Sequence, residues 1–190
     1  RFPTELIGNS GFENSSNTLF LQSSLMERYI GAAQTVVDLA LPAEPSTSEH
    51  FRTRGLIFRN ELEVNSSEEE ASSSVLSEFL TRAYRRPTTE QELLSATQQF
   101  VEGRGNGLSY EEAIKQVIQS ALISPKFLLR VEVGKQFPEP YQVSDWELAS
   151  RLSYFLWATM PDEELFDLAR TGRLSDSAVL EEQVSRMLTV

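Results

Sequence analysis

The chain has no cysteine. That absence removes disulfides, thiolate zinc sites, cysteine nucleophiles, iron–sulfur clusters and thioether-attached haem from the chemistry available within these residues. Histidine is nearly absent too: His50 stands alone, and metal or acid/base work by one imidazole would need carboxylates that no local spacing supplies. Basic residues are scarce, 17 Lys and Arg against 28 Asp and Glu, for a formal charge of −11 over 190 residues. Clustered cations are what bind a nucleic-acid backbone by releasing its counterions, so no nucleic-acid partner is expected, and anionic membranes are disfavoured for the same reason. No apolar run approaches the roughly 20 residues that cross a bilayer, so no transmembrane segment is expected. With 40% hydrophobic and 24% charged residues, the composition is that of a globular chain long enough for one core or two small ones.

The most regular feature is a Ser or Thr followed three residues later by Glu, each side chain satisfying a free amide of a helix's first turn. It occurs at Ser24/Glu27, Ser67/Glu70, Thr89/Glu92, Ser109/Glu112 and Ser144/Glu147. Each pair precedes an apolar stripe of period near 3.6, such as Ala113, Ile114, Val117, Ile118, Ala121 and Leu122 after Ser109. Ser124 and Pro125 fit a cap and first helical residue, predicting a short turn with Phe127. Pro161 is expected to open a helix over residues 162–170, closed by Gly172, and Ser175 or Asp176 to cap a last one. Only residues 55–64 alternate as a strand would, and a lone strand makes no sheet. The expected class is all-α, about seven to eight short capped helices in a bundle-like or orthogonal array, with at most one minor strand near Gly55 to Val64. The expected organisation is the end of a first helical domain (1–41), a connector (42–66), a second domain (67–132), a linker (133–143) and the start of a third (144–190). Neither end looks like a natural start or stop: Arg-Phe-Pro opens the chain without a signal layout, and residues 181–190 are still helically periodic. The chain reads as a piece of a longer protein.

The candidate chemistry is thin. Glu68 to Glu70 and Asp162 to Glu164 are carboxylate runs, but neither has an EF-hand pattern, and both fall in a first helical turn where negative charge is favoured. His50 is placed in a loop. Gly103, Gly105 and Gly107 follow a helix and read as a turn, not a phosphate cradle. No serine stands in a nucleophile motif. Arg82, Arg85 and Arg86, around Tyr84 and before Pro87, lie at a helix's end. There they complement the dipole and can staple it to the acidic start of another helix, with an anion or partner site as the rival reading. Trp146, Tyr154, Phe155 and Trp157 load one helix with aromatic surface, read as packing between neighbours, with a carbohydrate platform as the sharper rival. On that helix Glu147 and Arg151 stand in the favourable i, i+4 order.

Three stretches together carry a resemblance: Phe79-Leu80-Thr81-Arg82-Ala83-Tyr84-Arg85-Arg86-Pro87-Thr88, then Ser120-Ala121-Leu122-Ile123-Ser124-Pro125-Lys126-Phe127-Leu128-Leu129-Arg130, then residues 147–157 with Met160-Pro161-Asp162-Glu163-Glu164-Leu165. They resemble the large planctomycete-type multidomain proteins that join several domains of unknown function to a cytochrome c-like domain, and residues 12–40 are similar to the end of the domain preceding these. The resemblance implies an exported, extracytoplasmic protein whose haem c, if present, is bound in a later domain, with no cofactor, metal or catalytic residue in this segment. It implies as partners other domains of the same polypeptide or other subunits. Its signature residues here, Arg82, Tyr84, Arg85, Arg86, Pro87, Ser124, Pro125, Phe127, Arg151, Tyr154, Trp157, Pro161 and Asp162, are read as structural. Members often carry a cysteine pair around the segment equivalent to 57–75, where this chain has Arg59 and Ser72 to Ser74. Some relatives insert a carbohydrate-binding module between the first and second units, for which this chain has no room. The expected function is a helical scaffold and interaction segment. The alternatives are part of an oxidoreductase or hydrolase whose site is shared with other domains, and a carbohydrate-binding surface around Trp146 and Trp157.

Overall fold

A computed structural model describes residues 23–58, 67–129 and 142–189. Among the described residues there are nine helices and no strand. They are α1 (Ser23–Ala40), α2 (Ser48–Ile57), α3 (Glu68–Tyr84), α4 (Glu90–Gly105), α5 (Tyr110–Leu122), α6 (Pro125–Leu128), α7 (Asp145–Leu156), α8 (Glu163–Arg170) and α9 (Ser177–Leu188). The chain divides into two compact units: Arg1–Phe79 with Thr89–Leu129, and Leu80–Thr88 with Arg130–Val190. The division falls inside α3.

Helix starts follow the local chemistry of the sequence. At Thr89, Ser109 and Ser144 the hydroxyl accepts from the amide three residues on, while that residue's glutamate accepts from the cap amide. Ser67 and Glu70 make the same reciprocal pair at 2.8 and 3.2 Å. The Ser67 amide and then its hydroxyl hold the Glu70 carboxyl below the usual glutamate range. For Glu112 the Ser109 hydroxyl leads and the amide follows, helped by the charge of Lys115. At the fifth site α1 begins at Ser23, one residue before Ser24. Asp176 caps α9, and Asp162 caps α8, which puts Pro161 just before that helix rather than at its first position.

The first unit is organised around α5. Its stripe of Ala113, Ile114, Val117, Ile118 and Ala121 is buried throughout, against α4 on one side and α1 on another. Phe100 of α4 stacks edge-on with Tyr110 at 5.3 Å, and Gln99 donates to Ser120 at 2.6 Å. Gly103 belongs to this packing. It is a buried residue of α4, and a Cβ there would come within 3.3 Å of the Ala113 methyl and 3.1 Å of the Gln116 Oε1. The expected turn is therefore made by Gly107 alone of the three glycines, at φ +89°; Gly103 and Gly105 are helical.

The strand expected over residues 55–64 is corrected for the part that is described: Gly55 to Ile57 form the last turn of α2, and 59–64 lie outside the described residues. His50 likewise sits in a helix and not a loop. Thr47 caps α2 by accepting from the His50 amide, and the His50 Nδ1 accepts from the Ser46 amide at 3.3 Å. No residue of α2 is buried. It is held by contacts at its end, where Arg54 pairs with Glu111 at 2.5 Å and lies over Phe58. The linker expected at 133–143 lies outside the described residues up to 141.

The second unit packs α7, α8 and α9 around Ala149, Leu165, Ala169, Leu174 and Met187, with Trp146, Leu148, Leu152, Leu156, Trp157 and Leu168 closing over them. α8 has only eight residues, too few to stand as an isolated helix, and buries Leu165, Phe166 and Ala169. It ends at Gly172, φ +66°, whose amide and that of Arg173 turn back to Ala169 and Leu168. Asp145, at the start of α7, accepts from the Leu174 amide at 2.7 Å and so fixes the α8–α9 turn.

Candidate functional site

Several signature residues come together in a polar cluster of the second unit. α3 ends in the same double turn-back as α8: the Arg85 amide donates to Arg82 O and the Arg86 amide to Thr81 O, both at 3.2 Å. The left-handed position in such an ending ordinarily goes to glycine. Here it holds Arg85 at φ 57°, a conformation that costs a side-chain-bearing residue about 1–2 kcal/mol. Arg85 is nonetheless buried, donating to Ala83 O at 3.1 Å with its guanidinium 6.0 Å from the Tyr154 ring centre. Arg82 donates to Glu163 in the first turn of α8 and lies 5.5 Å from the Phe166 ring centre. Arg86 lies over Tyr84 and donates to Pro87 O. Thr81 and Thr88 join their hydroxyls at 3.0 Å across the loop.

One residue from Glu163, Asp162 does two things at once. Its Oδ1 accepts from the Leu165 amide at 3.0 Å, capping α8, and its two oxygens take the Nη1 and Nη2 of Arg186 at 2.7 and 3.3 Å. Arg186 also donates from Nε to Gln183, which in turn donates to Glu164 at 2.7 Å. The same guanidinium lies 5.3 Å from the centre of Trp157, whose Nε1 donates to Met187 O at 2.9 Å. Burial works against ionisation of Asp162. The hydrogen bonds from Arg186 and the Leu165 amide, with the Arg186 charge, outweigh it and hold the carboxyl below the usual aspartate range. The Arg186 guanidinium is raised in turn, first by its hydrogen bond to Asp162.

Chemically this is a chain of mutually satisfied charges: guanidinium on ring, guanidinium on carboxylate, carboxylate on helix amides. A general acid needs a proton held near neutral pH, and Asp162 is shifted the other way. Trp146 packs at 5.8 Å from Phe166, and both tryptophans lie against the core. Of Trp146, Tyr154, Phe155 and Trp157, the one that faces solvent is Phe155, 86% exposed. It borders a groove of about 490 Å³ lined by Leu148, Arg151, Leu152 and Tyr154. Glu147 closes the capping box at Ser144 through its Oε2.

Three further signature residues, Ser124, Pro125 and Phe127, belong to the first unit. Ser124 caps α6 by accepting from the Lys126 amide, with Pro125 in the first turn and Phe127 in the same short helix of the first unit. Lys126 pairs with Glu92 at 2.6 Å. The first unit also has an open groove of about 960 Å³, lined by Glu69, Glu70, Glu78 and Glu90 with Ser73, Ser74, Ser77 and Leu93 among others. Among the described residues no group of three or more His, Cys, Asp or Glu is placed to hold a metal ion, and no helix is long and apolar enough to cross a membrane. Arg186, Gln183 and Phe166 were not marked by the sequence: each is an ordinary member of an amphipathic helix until its partner is known.

Three family matches fall along the chain in tandem. Residues 1–42 match the family described as PSD3, a protein of unknown function (DUF1587). Residues 71–132 match PSD5, a protein of unknown function (DUF1595). Residues 143–190 match PSD4, a protein of unknown function (DUF1592). No curated protein and no solved structure matches the chain.

Proposed function

We propose that this chain is a non-catalytic helical scaffold and interaction segment of an exported multidomain protein, in which a cytochrome c-like domain elsewhere in the polypeptide carries the redox chemistry. The observation that supports this most is the use made of the signature charges. Arg82, Asp162 and their partners Glu163 and Arg186 bind one another and the ends of α3 and α8, which is what holding helices together requires. The tandem order of three domains of unknown function fits a multidomain protein whose partners are its own other domains or further subunits. Export and the haem association rest on the resemblance carried by the three sequence stretches.

Cell fractionation tests this reading. An antibody to this chain, combined with haem staining of the same gel, is expected to mark a haem-positive polypeptide in the extracytoplasmic fraction. A haem-negative or cytoplasmic band overturns the proposed setting. In that full-length protein, Arg82→Met and Arg186→Met are expected to lower the unfolding temperature while leaving its redox activity intact well below that temperature. Lost activity in a variant that remains folded overturns the scaffold role.

A further inference from the structure

The compact units do not follow the family matches. Leu80–Thr88 lies within the match over 71–132, yet it belongs to the unit that holds the whole of the 143–190 match. We propose that the arginine-bearing end of α3 is a fold-completing element of the second unit. The surface formed by Tyr154, Glu163 and Phe166 receives an arginine-rich helix C-terminus, and residues 143–190 do not reach their packed state without it.

Three observations carry this. The segment is covered from solvent: Leu80 is 2%, Ala83 6% and Arg85 9% exposed. The surface matches it in chemistry, since Glu163 takes the Arg82 guanidinium and two rings, Phe166 and Tyr154, lie under Arg82 and Arg85. Finally, Arg85 keeps a left-handed backbone that glycine would adopt without strain. An outlier of that kind persists where the surroundings over-determine it, and the surroundings here include the Tyr154 ring and the Ala83 carbonyl. Size points the same way: a set of residues smaller than about 60 makes a marginal core by itself.

The test uses the whole chain with a protease site engineered between Leu129 and Gln142. Both tryptophans, Trp146 and Trp157, lie in the second unit, so their emission reports that unit alone. After cleavage the two fragments are expected to co-elute with unchanged emission. Arg82→Met with Arg85→Ala is expected to release the C-terminal fragment, shift its emission to the red, and, in the uncut chain, lower the tryptophan-detected urea midpoint by about half a molar or more. Should the double variant fail to fold, Arg85→Ala alone gives the same readings in smaller measure. A C-terminal fragment that separates with its emission and midpoint intact, or variants that leave the midpoint in place, overturns the proposal.

Discussion

Asp162 offers the sharpest perturbation, because two substitutions separate its two jobs. Asparagine caps a helix as well as aspartate does, so Asp162→Asn keeps the bond to the Leu165 amide and removes the charge facing Arg186. A charge-assisted, two-pronged pair is worth about 1.5–3 kcal/mol when sheltered. Here the side chains of Arg186 and Asp162 are 29% and 36% exposed, so screening lowers the expected cost to about 1 kcal/mol. Asp162→Ala adds the lost cap, about 1 kcal/mol more. Arg186→Met loses the pair together with its cation–π contact to Trp157, about 1–2 kcal/mol in all. Urea unfolding followed by tryptophan emission measures all three. A double-mutant cycle of Asp162→Asn and Arg186→Met is expected to return a coupling of about 1 kcal/mol.

The pH dependence follows from the direction of the Asp162 shift. Its folded carboxyl titrates below the unfolded one, so the stabilisation is fully present above the unfolded value of about 3.9 and is lost as the pH falls through the folded value. The gap between the parent protein and Asp162→Asn is therefore constant from about pH 7 to pH 5 and closes below about pH 4. A coupling under about 0.3 kcal/mol, or a gap unchanged at pH 3, would refute the reasoning.

Other expectations are simpler. Ser109→Ala and Ser144→Ala each break a complete capping box and are expected to cost about 1 kcal/mol by urea titration, followed by circular dichroism for the first and by tryptophan emission for the second. Gly172→Ala forces a methyl-bearing residue to φ +66° and is expected to lower the melting temperature by destabilising α8's ending by about 1 kcal/mol. Phe155→Ser, at a side chain open to solvent, is expected to leave stability within about 0.5 kcal/mol and to improve solubility at high concentration, as light scattering would show.

What could be read from the sequence was what is local. A capping box is decided within four residues, and the boxes at Ser67, Thr89, Ser109 and Ser144 are where the spacing put them. α2 escaped detection because no residue of it is buried: a helix held by its end contacts writes no apolar stripe. Gly103 resembled a turn residue because a helix that needs a close neighbour and a helix that needs to stop both call for glycine; only Ala113, ten residues on, distinguishes them. Arg85 hid the left-handed ending of α3, since the motif is announced by glycine and here is not.

Partner choice was the least legible part. Arg82 reaches Glu163 across 81 residues and Arg186 reaches Asp162 across 24. The sequence marked three of these four residues as notable and left Arg186 among the ordinary charges of α9. Nothing in a one-dimensional pattern pairs a particular arginine with a particular carboxylate when several of each are on offer.

The proposed scaffold role requires that the signature charges and their partners fasten the fold. The thermal melt of Arg82→Met/Arg186→Met tests it most directly, since it removes both guanidiniums that grip the start of α8. Structural charges predict a fall of several degrees, each 1 kcal/mol being worth about 2–4 °C in a chain of this size. Charges gathered for a ligand are typically held at some cost to stability, so a melting temperature that stays in place or rises would contradict the account.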